Sequence, residues 1–308
     1  MERRGHECLI TVVDKDITRT LLEKYGFDYT NHGVYGRSVF RKLSRIPIMD
    51  YKLYRTIKPF NPDIFLGIAS FRAAHVAFMM RKRCVLFDDT ETGKSERLLY
   101  MPFIDTVCTP SCYQLDLGKK QVRYPGYHEL AYLHPDRFSP DPDVLKSLGV
   151  TPDEPFVIMR FVAWEAVHDL GHTGLTMETK VRAVEEFSRY ARVFISSERP
   201  LPAEFEPYRI TISPDRIHHV MAYATLLYGE SGTMSTEGAV LGTSVIFSGH
   251  PSVLGNMIEL DQTYGCMFTF KESLEDQKKS IEKGVELLVA ADINKQWWEK
   301  RERLLNDK

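Results

Sequence analysis

Apolar residues along this chain fall into short runs, and each run is followed by a longer stretch with helical spacing of apolar positions. The run Cys8–Asp14 is nearly continuous, which is typical of a strand covered on both faces, and Pro155–Phe161 and Ser244–Phe247 are further apolar runs that predict buried strands. Met177–Tyr190 places its apolar residues on one side, as an amphipathic helix does. Strands that alternate with helices in two successive series predict an α/β protein with parallel sheets.

The same reading assigns elements along the whole chain. The predicted strands are Cys8–Asp14, Asp63–Ile68, Cys84–Phe87, Thr106–Cys108, Gln121–Tyr124, Pro155–Phe161, Arg192–Ser196, Leu226–Tyr228, Ser244–Phe247 and Met267–Phe270. The predicted helices are Asp16–Tyr25, Val39–Ile57, Phe71–Arg81, Val144–Leu148, Met177–Tyr190, Pro214–Ala224, Thr233–Leu241, Leu254–Leu260, Ser273–Val289 and Asn294–Leu304.

A change in composition divides the chain. The segment 134–142 is polar and rich in proline, as linkers are. We therefore predict two doubly wound, Rossmann-like domains, 1–140 and 141–308, with an interdomain cleft that receives ligands at the carboxyl ends of the strands. Trp297 and Trp298 indicate that the last helix packs onto the fold, and it could cross back to the first domain.

Composition excludes several classes of protein. The net charge is −2, from 40 basic and 42 acidic residues, so no global electrostatic attraction to nucleic acid is expected. The five cysteines are scattered, which favours a reducing compartment, and we expect a soluble cytoplasmic protein.

The basic stretch Arg37–Lys58 is interleaved with aromatic residues. It predicts a solvated helix face or, alternatively, peripheral contact with a membrane surface.

The segment 226–246 carries the most specific signal in the chain. A buried strand, Leu226–Tyr228, is followed by a turn of small residues and then by a helix. Free N–H groups at a helix N-terminus bind anions, so Ser231, Gly232 and Thr233 are candidates for binding a diphosphate. Glu237 lies one helical turn after Thr233 and is a candidate for binding ribose hydroxyls. The alternative for Ser231, Gly232 and Thr233 is that they only cap the helix and form its turn. No metal and no cofactor other than the nucleotide ligand is predicted.

Further candidates follow the ends of other strands. Asp88 and Asp89 come after a strand and could act as a general base, although a solvated acidic turn is the alternative. Arg160 lies in a buried-strand pattern and could bind phosphate or pair with a carboxylate inside the fold. Asn256 could face the interdomain cleft and bind the substrate there.

The 226–246 segment also carries a family resemblance. Ser231-Gly232, Glu237 and Leu241-Gly242-Thr243 resemble a signature of the GT-B superfamily, which includes nucleotide-sugar glycosyltransferases and UDP-N-acetylglucosamine 2-epimerases. On the stretches Arg4–Glu7, Arg160–Asp169 and Glu230–Gly242, nearly the whole chain resembles the DUF354 family of GT-B-like proteins.

The resemblance implies an activity as well as a fold. It points to a glycosyltransferase with a UDP-linked donor and a sugar or lipid-linked acceptor, the nucleotide sugar being the substrate. A UDP-N-acetylglucosamine 2-epimerase and a non-catalytic nucleotide-sugar-binding protein are the alternatives. The epimerases carry a histidine near the substrate in the loop that matches His168. This implies that His168 contacts the substrate or its phosphate and could act in catalysis; a solvated loop histidine is the alternative. Gly171 argues against a helical zinc pair of His168 with His172.

The chain departs from the GT-B signature in several places. Thr233 replaces a glycine, Gly238 an alanine, and Ser244 stands where proline is usual. Glu230 adds a negative charge beside the proposed diphosphate site, which disfavours an anion there. Arg3–His6 resembles the end of a first helix, so we expect the N-terminal domain to lack its usual first strand. The oligomeric state stays open.

Overall fold

The protein is described by a computed structural model that covers residues 2–13, 17–33, 39–162, 174–197, 200–249 and 254–308, with backbone only for 39–43. The chain forms two compact units. The first consists of Met1–Asp88, Gly93–Thr109 and Asp116–Tyr124, and the second of Asp89–Thr92, Pro110–Leu115 and Pro125–Lys308. The domain limits at 140 and 141 stay a prediction about the organisation of the chain.

The elements alternate between strand and helix. The strands are β1 (Ile10–Val12), β2 (Tyr29–Asn31), β3 (Ile64–Ile68), β4 (Arg83–Phe87), β5 (Thr106–Pro110), β6 (Gln121–Tyr124), β7 (Phe156–Phe161), β8 (Arg192–Ser197), β9 (Leu226–Gly229), β10 (Ser244–Ser248) and β11 (Met267–Phe270). The helices are α1 (Thr18–Lys24), α2 (Val39–Ile57), α3 (Phe71–Met80), α4 (Lys94–Tyr100), α5 (Leu130–Leu133), α6 (Asp143–Leu148), α7 (Met177–Phe187), α8 (Ile217–Met221), α9 (Gly232–Leu241), α10 (Gly255–Ile258, continued by a π-helix over Glu259–Thr263), α11 (Leu274–Val289) and α12 (Ile293–Asp307).

The first unit contains a sheet in the order β3-β4-β5-β6, and β1 pairs with β2 apart from it. The pairs β3–β4, β4–β5 and β1–β2 are parallel. Val76 on α3, Leu86 on β4 and Val107 on β5 are fully buried in one apolar cluster. The expected lack of a usual first strand stays a prediction.

The amphipathic pattern of α2 is reproduced in its described side chains. Leu53 and Ile57 are buried in the core of the first unit, whereas Ile48 and Tyr51 are exposed. Over the residues that the structure describes, no helix combines the length and apolarity that crossing a membrane requires. Contact of Arg37–Lys58 with a membrane surface stays a prediction.

The second unit is built on a parallel sheet in the order β11-β10-β9-β7-β8. Successive side chains of a strand point to opposite faces. Val157 and Met159 accordingly lie in the apolar cluster that includes α7 and α11, while Phe156 and Ile158 lie in the cluster that includes α9. Both faces of the sheet are covered, which explains the continuous apolar runs and confirms the predicted α/β class with parallel sheets.

Gly229 ends β9, where it lies opposite Arg160 of the neighbouring strand β7. A Cβ atom at Gly229 would stand 2.3 Å from the carbonyl oxygen of Arg160, so only glycine fits there. The Glu230 N–H then donates to that same carbonyl oxygen, at 3.1 Å. The close approach fixes the direction in which the chain leaves β9 and enters the turn before α9.

Candidate functional site

The N-terminus of α9 is an open helix start. The Ser231 hydroxyl accepts a hydrogen bond from the Met234 N–H at 3.3 Å, so Ser231 is the N-cap. The N–H groups of Gly232 and Thr233 have no acceptor inside the helix, because they belong to its first turn. Thr233 is exposed, and Ser231 and Gly232 are partly exposed. The turn therefore presents two backbone donors and the positive end of the helix dipole to an approaching anion.

Glu237 lies one turn further along α9 and is only 7% exposed. Its Oε1 atom accepts a hydrogen bond from the Tyr132 hydroxyl at 2.9 Å and pairs with His218 Nε2, also at 2.9 Å. Within the described residues, Oε2 of Glu237 has no hydrogen-bond partner. Two side chains thus hold one carboxylate oxygen and leave the other as an acceptor for a ligand hydroxyl.

The cap of α9 gives a measurable expectation for Ser231→Ala. Loss of the hydroxyl leaves the Met234 N–H without its acceptor, so the free energy of unfolding should fall by about 1 kcal/mol. Urea titration of the variant beside Ser231→Thr, which keeps a capping hydroxyl, measures this difference. Equal stabilities of the two variants would contradict the capping role.

Glu230 should repel an anion at α9 less than its position in the sequence predicts, because neighbouring groups compensate its charge. Its carboxylate accepts hydrogen bonds from the N–H groups of Val162, at 3.2 Å, and Leu175, at 2.6 Å. Lys180 Nζ lies 3.3 Å from the same carboxylate. The charge of Glu230 is therefore compensated at the end of β7 and on α7, which reduces its repulsion of a ligand at α9.

The two aspartates that follow β4 have different surroundings. Asp88, in the first unit, is 2% exposed; it accepts a hydrogen bond of 2.5 Å from the Tyr100 hydroxyl, and Arg97 lies at 3.5 Å. Asp89, in the second unit, pairs with His128 at 2.9 Å. Burial raises the pKa of Asp89, but the hydrogen bond and charge of His128, together with hydrogen bonds from Thr90 and the backbone, outweigh burial, so the pKa is lowered overall. Both carboxylates are thus held by other side chains.

Glu91, beside them in sequence, has a structural contact inside the second unit. Its Oε1 atom accepts hydrogen bonds from the N–H groups of Gly255, at 2.9 Å, and Gln114, at 3.0 Å. A Cβ atom at Gly255 would lie 1.9 Å from the carbonyl oxygen of Cys112. Three separate chain segments therefore meet at Gly255 with no space for a side chain.

Glu129 is a candidate that the sequence analysis missed. It lies at the start of α5 and is 4% exposed, and its Oε2 atom has no hydrogen-bond partner among the described residues. Burial raises the pKa of Glu129 to about 7, and the negative charges of Asp89 and Glu237 act in the same direction. A signal was present in the sequence, since an ionisable Tyr127-His128-Glu129 stretch directly precedes the apolar residues of α5. The structure brings Glu129 into the second unit together with Asp89 and Glu237.

The remaining predicted residues have the following places. Arg160 Nη1 donates a hydrogen bond to the Ser196 hydroxyl at 2.9 Å, across the β7–β8 pair. Asn256 is buried beside α9; its side-chain amide donates to the Thr236 hydroxyl at 3.4 Å and its oxygen accepts from the Met257 N–H at 2.9 Å. His168 lies outside the described residues. In the described ranges, no group of three or more His, Cys, Asp or Glu side chains is placed to hold a metal ion.

Comparison with known proteins gives the family. The family model described as "Protein of unknown function (DUF354)" matches residues 1–283, and the chain belongs to this family. The "Uncharacterized protein MJ0665" of Methanocaldococcus jannaschii is 22% identical over 267 residues, which are 82% of this chain and 77% of that protein.

Solved structures of the GT-B class share the fold. The spinosyn forosaminyltransferase SpnP superposes with a TM-score of 0.65 at 11% identity, covering 100% of this chain and 89% of its own. A UDP-N-acetylglucosamine 2-epimerase superposes with a TM-score of 0.63 at 13% identity, covering 97% of this chain and 84% of its own. The predicted family and the two-domain, Rossmann-like fold class are confirmed. Identities this low establish the fold alone, and a fold does not by itself define an activity.

Proposed function

We propose that this protein binds a UDP-linked sugar through its second unit and transfers the sugar to an acceptor hydroxyl. The observation that carries the proposal is the pairing of the open α9 N-terminus with Glu237. The N–H groups of Gly232 and Thr233 would bind the diphosphate, and Oε2 of Glu237 would accept a hydrogen bond from the ribose. As the sugar leaves, charge builds on the diphosphate, and the helix N-terminus would stabilise that charge.

Binding can be measured before any acceptor is known. UDP at 100 times its dissociation constant is expected to stabilise the protein by about 2.7 kcal/mol. In Glu237→Ala that stabilisation should disappear, since the ribose acceptor is gone. A thermal-shift titration with UDP, with uridine and with inorganic phosphate provides the measurement. Glu185→Gln, which alters an exposed carboxylate on α7, is the control and should keep the full shift.

Ser231→Asp separates anion binding from helix stability. Aspartate is as good an N-cap as serine, so the fold should keep its stability. Its negative charge would lie at the predicted diphosphate position and should abolish the UDP shift. If Ser231→Asp binds UDP as the natural protein does, the diphosphate does not lie at α9 and the proposal fails.

Epimerisation is a second candidate, favoured by one observation. The second unit contains two acid–base groups, Glu129 and the Asp89–His128 pair, and epimerisation at carbon 2 of a sugar requires a proton to be removed and returned. Incubation with UDP-N-acetylglucosamine, first without and then with free sugars as acceptors, distinguishes the activities. A mannosamine isomer formed without an acceptor would identify an epimerase, and UDP release that requires an acceptor would support transfer. Binding with neither product, even when acceptors are present, would identify a non-catalytic binding protein.

A further inference from the structure

Transfer of a sugar to a hydroxyl requires a group that takes the hydroxyl proton. Asp88 is unsuited to this role, because Tyr100 and Arg97 already engage its buried carboxylate. Asp89 is paired with His128, which lowers the pKa of Asp89 and makes it a weak base at neutral pH. Asp89 is therefore less able to accept a proton than a carboxylate with a raised pKa, and the Asp88 carboxylate is already engaged by two side chains.

Glu129 has the properties that the aspartates lack. Its carboxyl group is buried, and in the part of the chain that the structure describes Oε2 makes no hydrogen bond. Polar groups buried in this way are rare in folded proteins unless they have a function, because an unsatisfied buried oxygen is costly. Among the described residues, no group around α5 donates a hydrogen bond to this oxygen, whereas both carboxylate oxygens of the buried Glu230 are engaged by backbone N–H groups and Lys180.

The position of Glu129 also links it to the proposed nucleotide site. Helix α5 packs against α9, the helix that carries Gly232, Thr233 and Glu237. Tyr132, one turn after Glu129 on α5, donates its hydroxyl hydrogen to Glu237. Burial raises the pKa of Tyr132, and the negative charges of Glu237 and Glu129 raise it further. The three side chains are therefore close enough to interact electrostatically.

We propose that Glu129 is the general base that accepts the proton of the acceptor hydroxyl. The inference rests on the proposed transferase function. In the step, the acceptor oxygen forms a bond to the anomeric carbon of the sugar. The bond from that carbon to the diphosphate oxygen breaks, and UDP leaves with the bonding electron pair. The hydroxyl proton passes to the Glu129 carboxylate, which then returns it to solvent.

The charges around Glu129 make its proton affinity suitable for this role. Glu129 interacts electrostatically with the carboxylates of Asp89 and Glu237 and with the phenol of Tyr132. His128 adds a positive charge beside it when protonated. Burial and the two carboxylates raise the pKa of Glu129 to about 7. A general base is most effective when its pKa lies near the working pH, and such bases contribute about 10²- to 10⁴-fold to the rate.

The test separates proton transfer from binding. Release of UDP from UDP-glucose, UDP-galactose and UDP-N-acetylglucosamine is measured from pH 5.5 to 9, with water and with free sugars as acceptors. Glu129→Gln should lower kcat by about 10²- to 10⁴-fold and leave KM and the UDP thermal shift unchanged. The rise of kcat with pH near 7 should disappear in this variant and return, shifted, in Glu129→Asp. Glu185→Gln should match the natural protein throughout.

Each result bears on the proposal in one direction. Retention of kcat and of its rise near pH 7 in Glu129→Gln would overturn it. Loss of UDP binding in Glu129→Gln would also overturn it, since a structural or binding role would then account for the residue. A natural protein that binds UDP but releases none from the three donors has no transfer step for Glu129 to serve. If the natural protein does not bind UDP at all, the failure is that of the proposed function itself.

Discussion

Replacing Gly255 with alanine should lower the free energy of unfolding by about 3 kcal/mol or more. The added Cβ atom would lie 1.9 Å from the Cys112 carbonyl oxygen and 2.9 Å from Glu91 Oε1. The obstructing carbonyl is backbone, so no rotamer change can relieve the overlap. The chain must move and lose the hydrogen bond from the Gly255 N–H to Glu91. Urea unfolding followed by far-ultraviolet circular dichroism measures the loss.

Gly232→Ala provides the matched control for Gly255→Ala. A Cβ atom there would meet only the Met257 sulfur, at 3.8 Å, which is an ordinary contact. Because Gly232 is the first residue of α9, alanine should leave stability unchanged or raise it by about 0.4–1 kcal/mol. Similar losses in both variants would show that the crowding at Gly255 is not the cause.

The second large effect is a dependence of stability on pH that is removed by Glu129→Gln. The pKa of Glu129 changes from an ordinary value of 4.5 to about 7 in the folded protein. A group whose folded-state pKa is raised stabilises the fold fully below its unfolded-state pKa, and this stabilisation is lost as the pH rises through the folded-state pKa. The whole change is worth about 3 kcal/mol, at 1.36 kcal/mol for each pKa unit.

Glutamine has nearly the same shape and no charge, so it avoids this loss. The free energy of unfolding of Glu129→Gln, taken relative to that of the natural protein, should therefore increase by about 2 to 3 kcal/mol from pH 5 to pH 8. Urea titrations of both proteins at these two pH values give the difference, from which the titrating groups that do not interact with Glu129 cancel. A difference between the two proteins that is the same at pH 5 and pH 8 would refute the raised pKa.

Much of the second unit could be predicted because its signals are local. The run Phe156–Phe161 is apolar at every position except Arg160, and a strand buried on both faces requires that pattern. Ser231 before a stretch of small residues indicates a helix start, and α9 begins one residue before the predicted Thr233. These features depend on neighbours within a few positions in the sequence.

Short elements were harder to predict. The strand β2 (Tyr29–Asn31) and the helices α4 (Lys94–Tyr100) and α5 (Leu130–Leu133) were not predicted. Each has seven residues or fewer, which is too short for the apolar positions to show a clear helical or strand repeat. Their stability comes from packing against elements that are distant in the sequence.

The candidate site shows the same division. Glu237 could be nominated from its spacing to Thr233, but its partner Tyr132 is 105 residues away and no pattern connects the two. Glu129 was missed because its raised pKa is a consequence of burial, and burial depends on how α5 packs on α9. The role of Glu230 changed for a similar reason, since Lys180 becomes its neighbour only in the folded chain.

The hydrogen bond from Gly255 to Glu91 has a consequence for synthesis on the ribosome. The two residues are 164 positions apart, so at about 5 to 20 residues per second the donor is made roughly 8 to 33 seconds after its acceptor. During that interval Asp89–Thr92 and Pro110–Leu115 have been translated but the rest of their compact unit is incomplete. The growing chain therefore exposes unfinished structure for many seconds before its second unit can close.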